Sequence, residues 1–376
     1  MNFIATSSCR AEMSGLAEGS VQTEREVGRD DGRDDGQDEG REVEGGACKL
    51  CMLCLTEIGC KRCGKCSERV YCSKSCQCLD WKFHKLTCSD KVKIQETEAC
   101  GKGVYAKQDF RVGDELIRES PLFVFPCFQV SGTEAEVCDC EFQKLNVEMK
   151  RVMLQLANVH PDQSELMGII KTNGIPLGAD SEQGGIFART SRINHACKPN
   201  ARYIWRPDIG KELVFAIRPI AKGDEITVCY LAEYACKKTR QKMLQKRFNF
   251  TCRCPTCEYT SELHTIEQDE MLPEIQKLYE QIPIKVNMGW NGPFEALKMS
   301  ERILSLKKKA NLDTPVDMEH SYYDAYQMAR ECGNEAKAKK YLSNAYECAK
   351  LCEGKDSPQV LKYAKLLALN SFFFHI

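Results

Sequence analysis

Closely spaced cysteines constrain the fold of this chain more than any other feature of its sequence. The chain has 24 cysteines among 376 residues, and a dense group lies between Cys51 and Cys88. Four pairs of Cys or His side chains in this group are separated by only two or three residues. Two such pairs can bind one tetrahedral zinc ion, so the four pairs predict two closed zinc sites. A segment this short cannot build a stable core alone, and zinc would supply much of its folding free energy.

The order of the pairs predicts interleaved ligation. One ion would be bound by Cys51, Cys54, Cys72 and Cys76, and the other by Cys63, Cys66, His84 and Cys88. Trp81 and Phe83 suit a short helix that presents the last pair. An alternative first pair is Cys48 with Cys51. Reduced cysteines without metal are a simpler interpretation, but they do not explain four pairs in register.

The remaining composition is that of an ordinary globular chain, 43% hydrophobic and 28% charged. No apolar run reaches the roughly 18 residues of a membrane span, and the N-terminus lacks a basic segment followed by a long apolar stretch. We therefore expect no membrane partner, no secretory signal and a cytoplasmic or nuclear location, where clustered thiols bind metal rather than form disulfides. The net charge of −1 argues against direct sequence-specific binding of nucleic acid. We also expect a monomer.

Residues 1–46 are predicted to form a disordered, acidic and glycine-rich tail. Residues 24–44 contain ten acidic residues and four arginines, and they have too little apolar surface to offset the entropy of ordering. A calcium-binding loop is the alternative. It is excluded because no register places the acidic ligands, the glycine and the final glutamate at the required positions.

Short apolar runs rich in Val, Ile, Phe and Tyr predict β-strands after the cysteine block, at residues 101–106, 115–118, 122–125, 202–205, 213–217 and 226–229. Two similar turns, Gly113-Asp114 and Gly223-Asp224, each precede a strand. Between the strands, residues 141–159 have helical spacing with apolar side chains on one face. This pattern predicts an α+β fold, in which a β-rich domain carries a helical insertion.

From about Met271 onward the pattern is helical. Small and aromatic residues recur there at the spacing of two packed antiparallel helices, at Ala325, Ala329, Gly333, Ala338, Tyr341, Leu342, Ala345 and Ala349. The segment resembles one tetratricopeptide-like hairpin. A small α-helical cap without that relationship is the simpler alternative.

A second cysteine group contains Cys252, Cys254 and Cys257, one thiolate fewer than a closed zinc site requires. We predict that Cys197 is the fourth ligand and that zinc ties its loop to the segment near residue 250. Asn194 and His195, just before Cys197, are side chains that fix a polar ligand. One short loop would then bind a cofactor on one side and zinc on the other.

Several motifs together resemble a known family. Tyr71-Cys72-Ser73-Lys74-Ser75-Cys76-Gln77, followed by Asp80-Trp81-Lys82, His84-Lys85 and Cys88, resembles a MYND zinc finger. In order, Gly101-Lys102-Gly103, Asn194-His195 and Gly223-Asp224-Glu225-Ile226-Thr227-Val228-Cys229-Tyr230 resemble the motifs of SET-domain lysine methyltransferases. Cys252, Cys254 and Cys257 resemble the post-SET cysteines that follow such a domain. Together, residues 48–260 resemble the SET-and-MYND family, in the arrangement that places the finger before the SET domain.

The resemblance implies methyl transfer from S-adenosylmethionine to a lysine side chain of a histone or another protein. It implies that the cofactor is contacted by Gly101, Lys102, Gly103, Asn173, Asn194, His195, Tyr230 and Phe250, and that Tyr230 is also catalytic. It further implies three zinc ions and a finger that takes proline-containing peptides. Phe248 stands where many members have tyrosine, so the number of methyl groups added stays open.

Each of these residues also has a simpler interpretation. His195 would be a structural histidine, Tyr230 and Phe250 core residues, and Asn173-Gly174 a turn. The alternative function is a non-catalytic adaptor that recruits protein partners in transcriptional regulation. The glycines, the Asn-His pair and the tyrosine argue against this alternative, because their loss would be expected in an adaptor.

The predicted organisation has five parts. These are the disordered tail (1–46), a MYND finger (47–90), a SET domain (91–235) with an insertion at about 127–190, a post-SET zinc segment (236–262) and an α-helical C-terminal domain (263–376).

Overall fold

A computed structural model describes residues 51–56, 60–97, 101–126, 134–178, 181–231, 235–258, 262–289 and 291–372. The predictions for the acidic tail and for Cys48 lie outside these residues. The chain divides into two compact units, and the boundary between them falls between Trp81 and Lys82. Within the described residues, none of the helices combines the length and the apolar character that a membrane span requires.

The smaller unit is built on a short hairpin followed by a helix. Its elements are β1 (Lys61–Arg62), β2 (Val70–Tyr71) and the start of α1 (Lys74–His84), and the two strands pair antiparallel. Asp80 in α1 accepts hydrogen bonds of 2.6 Å from both Arg69 and Tyr71, which fixes the helix against the hairpin. The short helix predicted around Trp81 and Phe83 is therefore confirmed.

The larger unit begins with a β-rich region. Its strands are β3 (Val92–Thr97), β4 (Gly101–Ala106), β5 (Glu115–Glu119), β6 (Phe123–Pro126), β7 (Ile175–Pro176), β8 (Gln183–Ile186), β9 (Asn194–His195), β10 (Ala201–Arg206), β11 (Lys211–Ala216) and β12 (Glu225–Val228). They form three sheets with the orders β10-β11-β5, β3-β4-β12-β9 and β6-β8-β7. Every predicted strand is present, with ends shifted by one or two residues. The common core includes Val104, Ile117, Val214 and Ile226, all at most 2% exposed.

The two Gly-Asp turns predicted from the sequence have matching structures. Gly113 and Gly223 have φ angles of +91° and +97°, a region that glycine adopts without strain. In each turn the aspartate accepts a hydrogen bond from a backbone N–H three residues before it, at 2.7 Å for Asp114 and 3.0 Å for Asp224. The internal similarity of the sequence therefore reflects two equivalent turns, each leading into a strand.

The helical insertion is confirmed, and it consists of α2 (Glu134–Gln143), α3 (Val147–Met153) and α4 (Glu165–Asn173). The helical spacing over residues 141–159 does not correspond to one continuous helix. It is interrupted at Asn146, which has an extended backbone and caps α3, accepting a hydrogen bond of 2.8 Å from the Met149 amide. An asparagine side chain competes with helical backbone bonding, and here it starts a new helix.

The C-terminal region is helical, as predicted, but its long helices begin earlier than Met271. The helices are α5 (Lys237–Phe248), α6 (Pro255–Glu258), α7 (Glu262–Val286), α8 (Gly292–Lys309), α9 (Pro315–Glu331), α10 (Glu335–Glu353) and α11 (Pro358–Phe372). The predicted hairpin is formed by α9 and α10, joined at Gly333 with φ +67°. Small side chains let the two helices approach closely, and Ala325, Ala329, Ala338 and Ala345 are fully buried between them and their neighbours.

A buried arginine joins the C-terminal helices to the β-rich region. Arg206 at the end of β10 is 3% exposed, and its guanidinium donates to the backbone carbonyl of Asp356 at 3.1 Å. The same group forms an ion pair with Asp208 at 2.6 Å. The guanidinium also lies 3.4 Å from the Asp356 carboxylate. The two carboxylates balance the buried cation, and the contacts to Asp356 fix the segment just before α11 against the sheet.

Glu212 on β11 is fully buried, and neither of its carboxylate oxygens has a hydrogen-bond partner among the described residues. It lies opposite Glu119 on β5 and Trp205 on β10. Burial, reinforced by the charge of Glu119 and opposed by Arg202, raises the pKa of Glu212 from 4.5 to about 8. The folded protein thus retains a proton that the unfolded chain releases.

Stability should therefore fall as the pH rises from about 4.5 to about 8, since the unfolded state binds fewer protons over this range. Glu212→Gln removes the ionisable carboxyl group and with it this pH-dependent loss of stability. We expect it to be more stable than the natural protein at pH 7, by on the order of 3 kcal/mol, and to differ little at pH 4. Urea unfolding at both pH values measures the difference, with exposed Glu331→Gln as control. Parallel pH profiles for the natural protein and Glu212→Gln would contradict the assignment.

Candidate functional site

Three adjacent strands bring together the segments predicted to bind a cofactor. In the sheet β3-β4-β12-β9, the strand containing Gly101 and Gly103 pairs with β12, and β12 pairs with the strand containing Asn194 and His195. The β12–β9 pair is parallel, with Thr227 opposite Asn194. Segments distant in sequence thus meet at one end of this sheet.

Asn194 connects two of these segments directly. Its side-chain amide donates to Glu225 Oε1 at 2.8 Å and to the backbone carbonyl of Lys102 at 3.4 Å. Both donated bonds point into the protein, so the carboxamide oxygen is the group available to accept a hydrogen bond from a ligand. Gly101, next to Lys102, has φ +74° and open space where a side chain would begin.

Asn200 holds the loop after Asn194 against β12. Its side chain donates to the backbone carbonyl of Glu225 at 2.8 Å and accepts from the Thr227 amide at 2.8 Å. The parallel ladder between β9 and β12 has only two residue pairs, and these side-chain bonds continue the contact between the two segments beyond it. The sequence analysis assigned no role to Asn200 or to Glu225. In the sequence they are marked only by their positions, Asn200 directly after Pro199 and Glu225 directly after the second Gly-Asp turn.

His195 uses both ring nitrogens within the protein. Its Nδ1 accepts the backbone N–H of Tyr230 at 3.0 Å, and its Nε2 lies 3.4 Å from Cys197 Sγ. Burial lowers the pKa of His195 to about 4, so the ring is neutral near pH 7 and carries its proton on Nε2. The imidazole therefore positions Tyr230 relative to Cys197, a role that the predicted cofactor contact did not include.

Tyr230 follows β12 and lies among other aromatic rings. Its hydroxyl donates to the backbone carbonyl of Ile193 at 2.7 Å. Its ring centroid is 5.3 Å from that of His195 and 4.8 Å from that of Phe248, and the His195 ring is 6.2 Å from Phe250. Three of the predicted site residues and Phe248 thus form one aromatic group.

Asn173 is placed differently. It ends α4, and its side-chain amide donates to the backbone carbonyls of Ala157 at 2.6 Å and Ile169 at 2.8 Å. Its own carbonyl accepts from Ser191 at 3.0 Å. Among the described residues no hydrogen bond joins Asn173 to Asn194 or His195, so its predicted cofactor contact stays a proposal. The alternative turn is not formed, because Gly174 is extended.

The post-SET cysteines come together as predicted. The sulfur atoms of Cys197, Cys252, Cys254 and Cys257 all lie within 4.8 Å of one another, and Cys197 Sγ is 3.5 Å from Cys257 Sγ. Zinc–sulfur bonds of about 2.3 Å would place tetrahedral sulfurs roughly 3.8 Å apart. Hydrogen bonds from the neighbouring thiols, that of Cys197 above all, lower the pKa of Cys254, and the Cys197 amide adds to this by donating to Cys254 Sγ at 3.4 Å. These four residues fit a zinc ion.

The finger contains two further groups, with the interleaved composition that the sequence predicts. Cys51, Cys54, Cys72 and Cys76 form the first, with sulfur–sulfur distances of 3.3, 3.5 and 3.8 Å among the last three. Cys63, Cys66, His84 and Cys88 form the second, and all four side chains are buried. Each set could hold one zinc ion, which gives three candidate sites among the residues that the structure describes.

Removal of one post-SET ligand should release one metal ion. We expect about three zinc ions per chain in the natural protein and about two in Cys197→Ser, measured by elemental analysis. Cys332→Ser, at a cysteine outside all three groups, is the control and should keep all three. Retention of three zinc ions by Cys197→Ser would show that Cys197 is not a ligand.

Comparisons with known proteins agree with this geometry. A SET domain family model matches residues 101–231, and a MYND finger family model matches residues 48–88. Histone-lysine N-methyltransferase set5 of Schizosaccharomyces pombe is 27% identical over 266 residues, covering 70% of this chain and 80% of that protein.

Two further relatives match shorter parts of the chain. N-lysine methyltransferase SMYD2 of Rattus norvegicus is 27% identical over 218 residues, 54% of this chain and 47% of that protein. Histone-lysine N-methyltransferase ASHR1 of Arabidopsis thaliana is 35% identical over 88 residues, 23% of this chain and 18% of that protein. The matched region thus spans less than half the length of these two relatives. The chain therefore carries a MYND finger N-terminal to a SET domain, and it is similar to proteins named as histone-lysine or N-lysine methyltransferases.

Proposed function

We propose that this protein transfers a methyl group from S-adenosylmethionine to a lysine side chain of a protein substrate. The hydrogen bond from Asn194 to the Lys102 carbonyl carries the proposal, because it joins the glycine segment to the Asn-His segment in one site. When bound, S-adenosylmethionine supplies an electrophilic methyl group. The protein has little covalent work to do, so its contribution is to orient the reactants and exclude water.

The residues of the site have distinct proposed roles. Gly101 and Gly103 allow the cofactor to approach the β4 backbone closely. The free oxygen of Asn194 accepts a hydrogen bond from the donor's amino group, and the rings of His195 and Phe250 pack beside its adenine. Asn173 is proposed as a further cofactor contact. The Lys102 backbone, held by Asn194, fixes the glycine segment.

Tyr230 and Phe248 are proposed to line the channel for the substrate lysine. A free lysine amine has a pKa of about 10.4, and the apolar rings would lower it by disfavouring the charged form. The Tyr230 hydroxyl donates to the Ile193 carbonyl, which supports its proposed position at the junction between cofactor and channel. Phe248 has no hydroxyl, so this position offers no hydrogen bond to the substrate amine, and the number of methyl groups added stays open.

The names of set5 and ASHR1 refer to histone lysines, and we propose histones as the first substrates to test. We further propose that the chain is monomeric, that it acts in the nucleus or cytoplasm, and that its finger binds proline-containing peptides. A non-catalytic adaptor would not need a free acceptor oxygen on Asn194 or a half-buried tyrosine hydroxyl beside the cofactor segments.

Cofactor binding tests the role of Asn194. By calorimetry, Asn194→Ala should bind S-adenosylmethionine about tenfold or more weakly than the natural protein, since it loses one hydrogen bond to a charged group. Exposed Asn287→Ala is the control and should bind normally. If the zinc-loaded natural protein shows no detectable binding of S-adenosylmethionine, the proposed function is wrong. If Asn194→Ala binds the cofactor as tightly as the natural protein, Asn194 does not contact the cofactor.

The hydroxyl of Tyr230 should affect turnover rather than binding. Tyr230→Phe keeps the ring that packs on His195 and Phe248, so we expect unchanged cofactor affinity and a decrease in kcat of about 100-fold. Release of S-adenosylhomocysteine with histone substrates measures kcat, and Tyr322→Phe in the C-terminal helices is the matched control. Full turnover by Tyr230→Phe would show that the hydroxyl is not catalytic.

A further inference from the structure

The segment between the SET domain and the post-SET cysteines has an unusual charge distribution. Between Glu233 and Glu258 the sequence contains no acidic residue and seven basic ones, Lys237, Lys238, Arg240, Lys242, Lys246, Arg247 and Arg253. The whole chain nevertheless has a net charge of −1. The acidic residues of 24–44 help to offset the basic segment, so the overall charge gave no sign of it.

Three of these lysines form a line along α5. Lys238, Lys242 and Lys246 are exposed and four residues apart, so they share one face at intervals of about 6 Å. Arg247 and Arg253 are exposed as well. None of these five side chains has a hydrogen bond or an ion pair with another described residue. We call this set the α5 basic face.

Several lysines in or directly after other helices are paired with an acidic residue nearby in the sequence. Lys144, Lys298 and Lys350 each form an ion pair with a glutamate three residues away. In α5, like charges repel at four-residue spacing, and the first turn has lysines but no acidic residue to match the helix dipole. This arrangement opposes helix formation, and the five side chains of the α5 basic face form no ion pair with another described residue.

Packing on the opposite side holds α5 in place. Leu244 is fully buried, and the Gln241 side chain both donates to the Cys252 carbonyl at 2.8 Å and accepts from the Cys252 amide at 2.9 Å. The helix then ends at Phe248, whose ring packs against Tyr230. The α5 basic face is thus fixed to the zinc segment and leads directly into the candidate site.

The side chains of the face favour phosphate over protein as its partner. Protein interfaces are depleted of lysine and enriched in aromatic residues. The α5 basic face does not have this composition, because none of the exposed large apolar side chains in the described residues belongs to α5 or to the post-SET cysteine segment. Binding of single-stranded nucleic acid relies on stacking aromatic rings, which this face also lacks. Lysine and arginine are the main contacts to the phosphates of a duplex.

We propose that the α5 basic face binds the phosphate backbone of double-stranded DNA without sequence preference. Together with the proposed function, on which this second step rests, it implies that the enzyme acts on lysines of proteins assembled on DNA. The expectation that the chain does not recognise a specific DNA sequence is unaffected, since the face would read only charge.

The test measures binding to a labelled mixed-sequence DNA duplex by fluorescence anisotropy at several salt concentrations. The triple variant Lys238→Gln, Lys242→Gln, Lys246→Gln should bind at least tenfold more weakly at low salt. It should also lower the slope of log affinity against log salt by about 2.7, since three phosphate contacts are lost. The control variant Lys277→Gln, Lys308→Gln, Lys309→Gln makes the same charge change on exposed lysines of α7 and α8 and should match the natural protein.

Equal affinity and slope for the triple variant and the natural protein would overturn the proposal. So would tighter binding of an acidic peptide of matched charge than of the duplex, because the partner would then be a protein. Calorimetry with S-adenosylmethionine should give the natural affinity for the triple variant, which shows that it is folded. DNA binding without any cofactor binding would refute the proposed function and leave the DNA surface standing.

The link to substrate choice has its own measurement. The ratio of methyl transfer on nucleosomes to transfer on free histones should fall severalfold in the triple variant and stay unchanged in the control variant. An unchanged ratio in both variants would show that the DNA contact does not direct the enzyme to its substrate.

Discussion

The parallel pairing of β9 with β12 is the contact on which the candidate site depends. The pair is only two residues long in each strand, so it has few ladder hydrogen bonds of its own. Asn200 extends it by bonding the Glu225 carbonyl and the Thr227 amide. Once this pair forms, Asn194 reaches the glycine segment and His195 reaches Tyr230. The site is therefore a consequence of strand register, and a slip of one residue would turn both side chains away.

Metal binding and site geometry are coupled through His195 and the loop that follows it. His195 Nε2 faces Cys197 Sγ, and its Nδ1 holds the backbone of Tyr230. A thiolate bound to zinc would accept the Nε2 proton, and such outer contacts orient ligands and tune metal affinity. The same metal would hold Cys252, Cys254 and Cys257, and through them Phe250. The aromatic group is thus fixed from two sides, although none of its rings binds metal.

The sequence predicted those features that depend on local spacing. Zinc ligands in pairs, strands between turns, and alanines at helical intervals are encoded within a few residues, and each appears in the structure. The helical insertion was predictable from the apolar spacing of 141–159, but its break at Asn146 was not, because this side chain caps a new helix locally and apolar periodicity does not detect a cap. The roles of Glu225, Asn200 and the His195 nitrogens were not predictable, since they depend on which strands pair and in which register. The α5 basic face was not predicted, because the net charge of the whole chain does not show a local excess of basic residues.

The central claim is that β4, β9 and β12 assemble a cofactor site whose polar contact is the Asn194 oxygen. A crystal structure of the zinc-loaded protein with S-adenosylmethionine tests it most directly. We predict that the amino group of the cofactor lies within hydrogen-bond distance of Asn194 Oδ1, with the adenine beside His195 and Phe250. Cofactor density away from the Gly101–Ala106 strand, or an Asn194 side chain that makes no contact with it, would contradict the account.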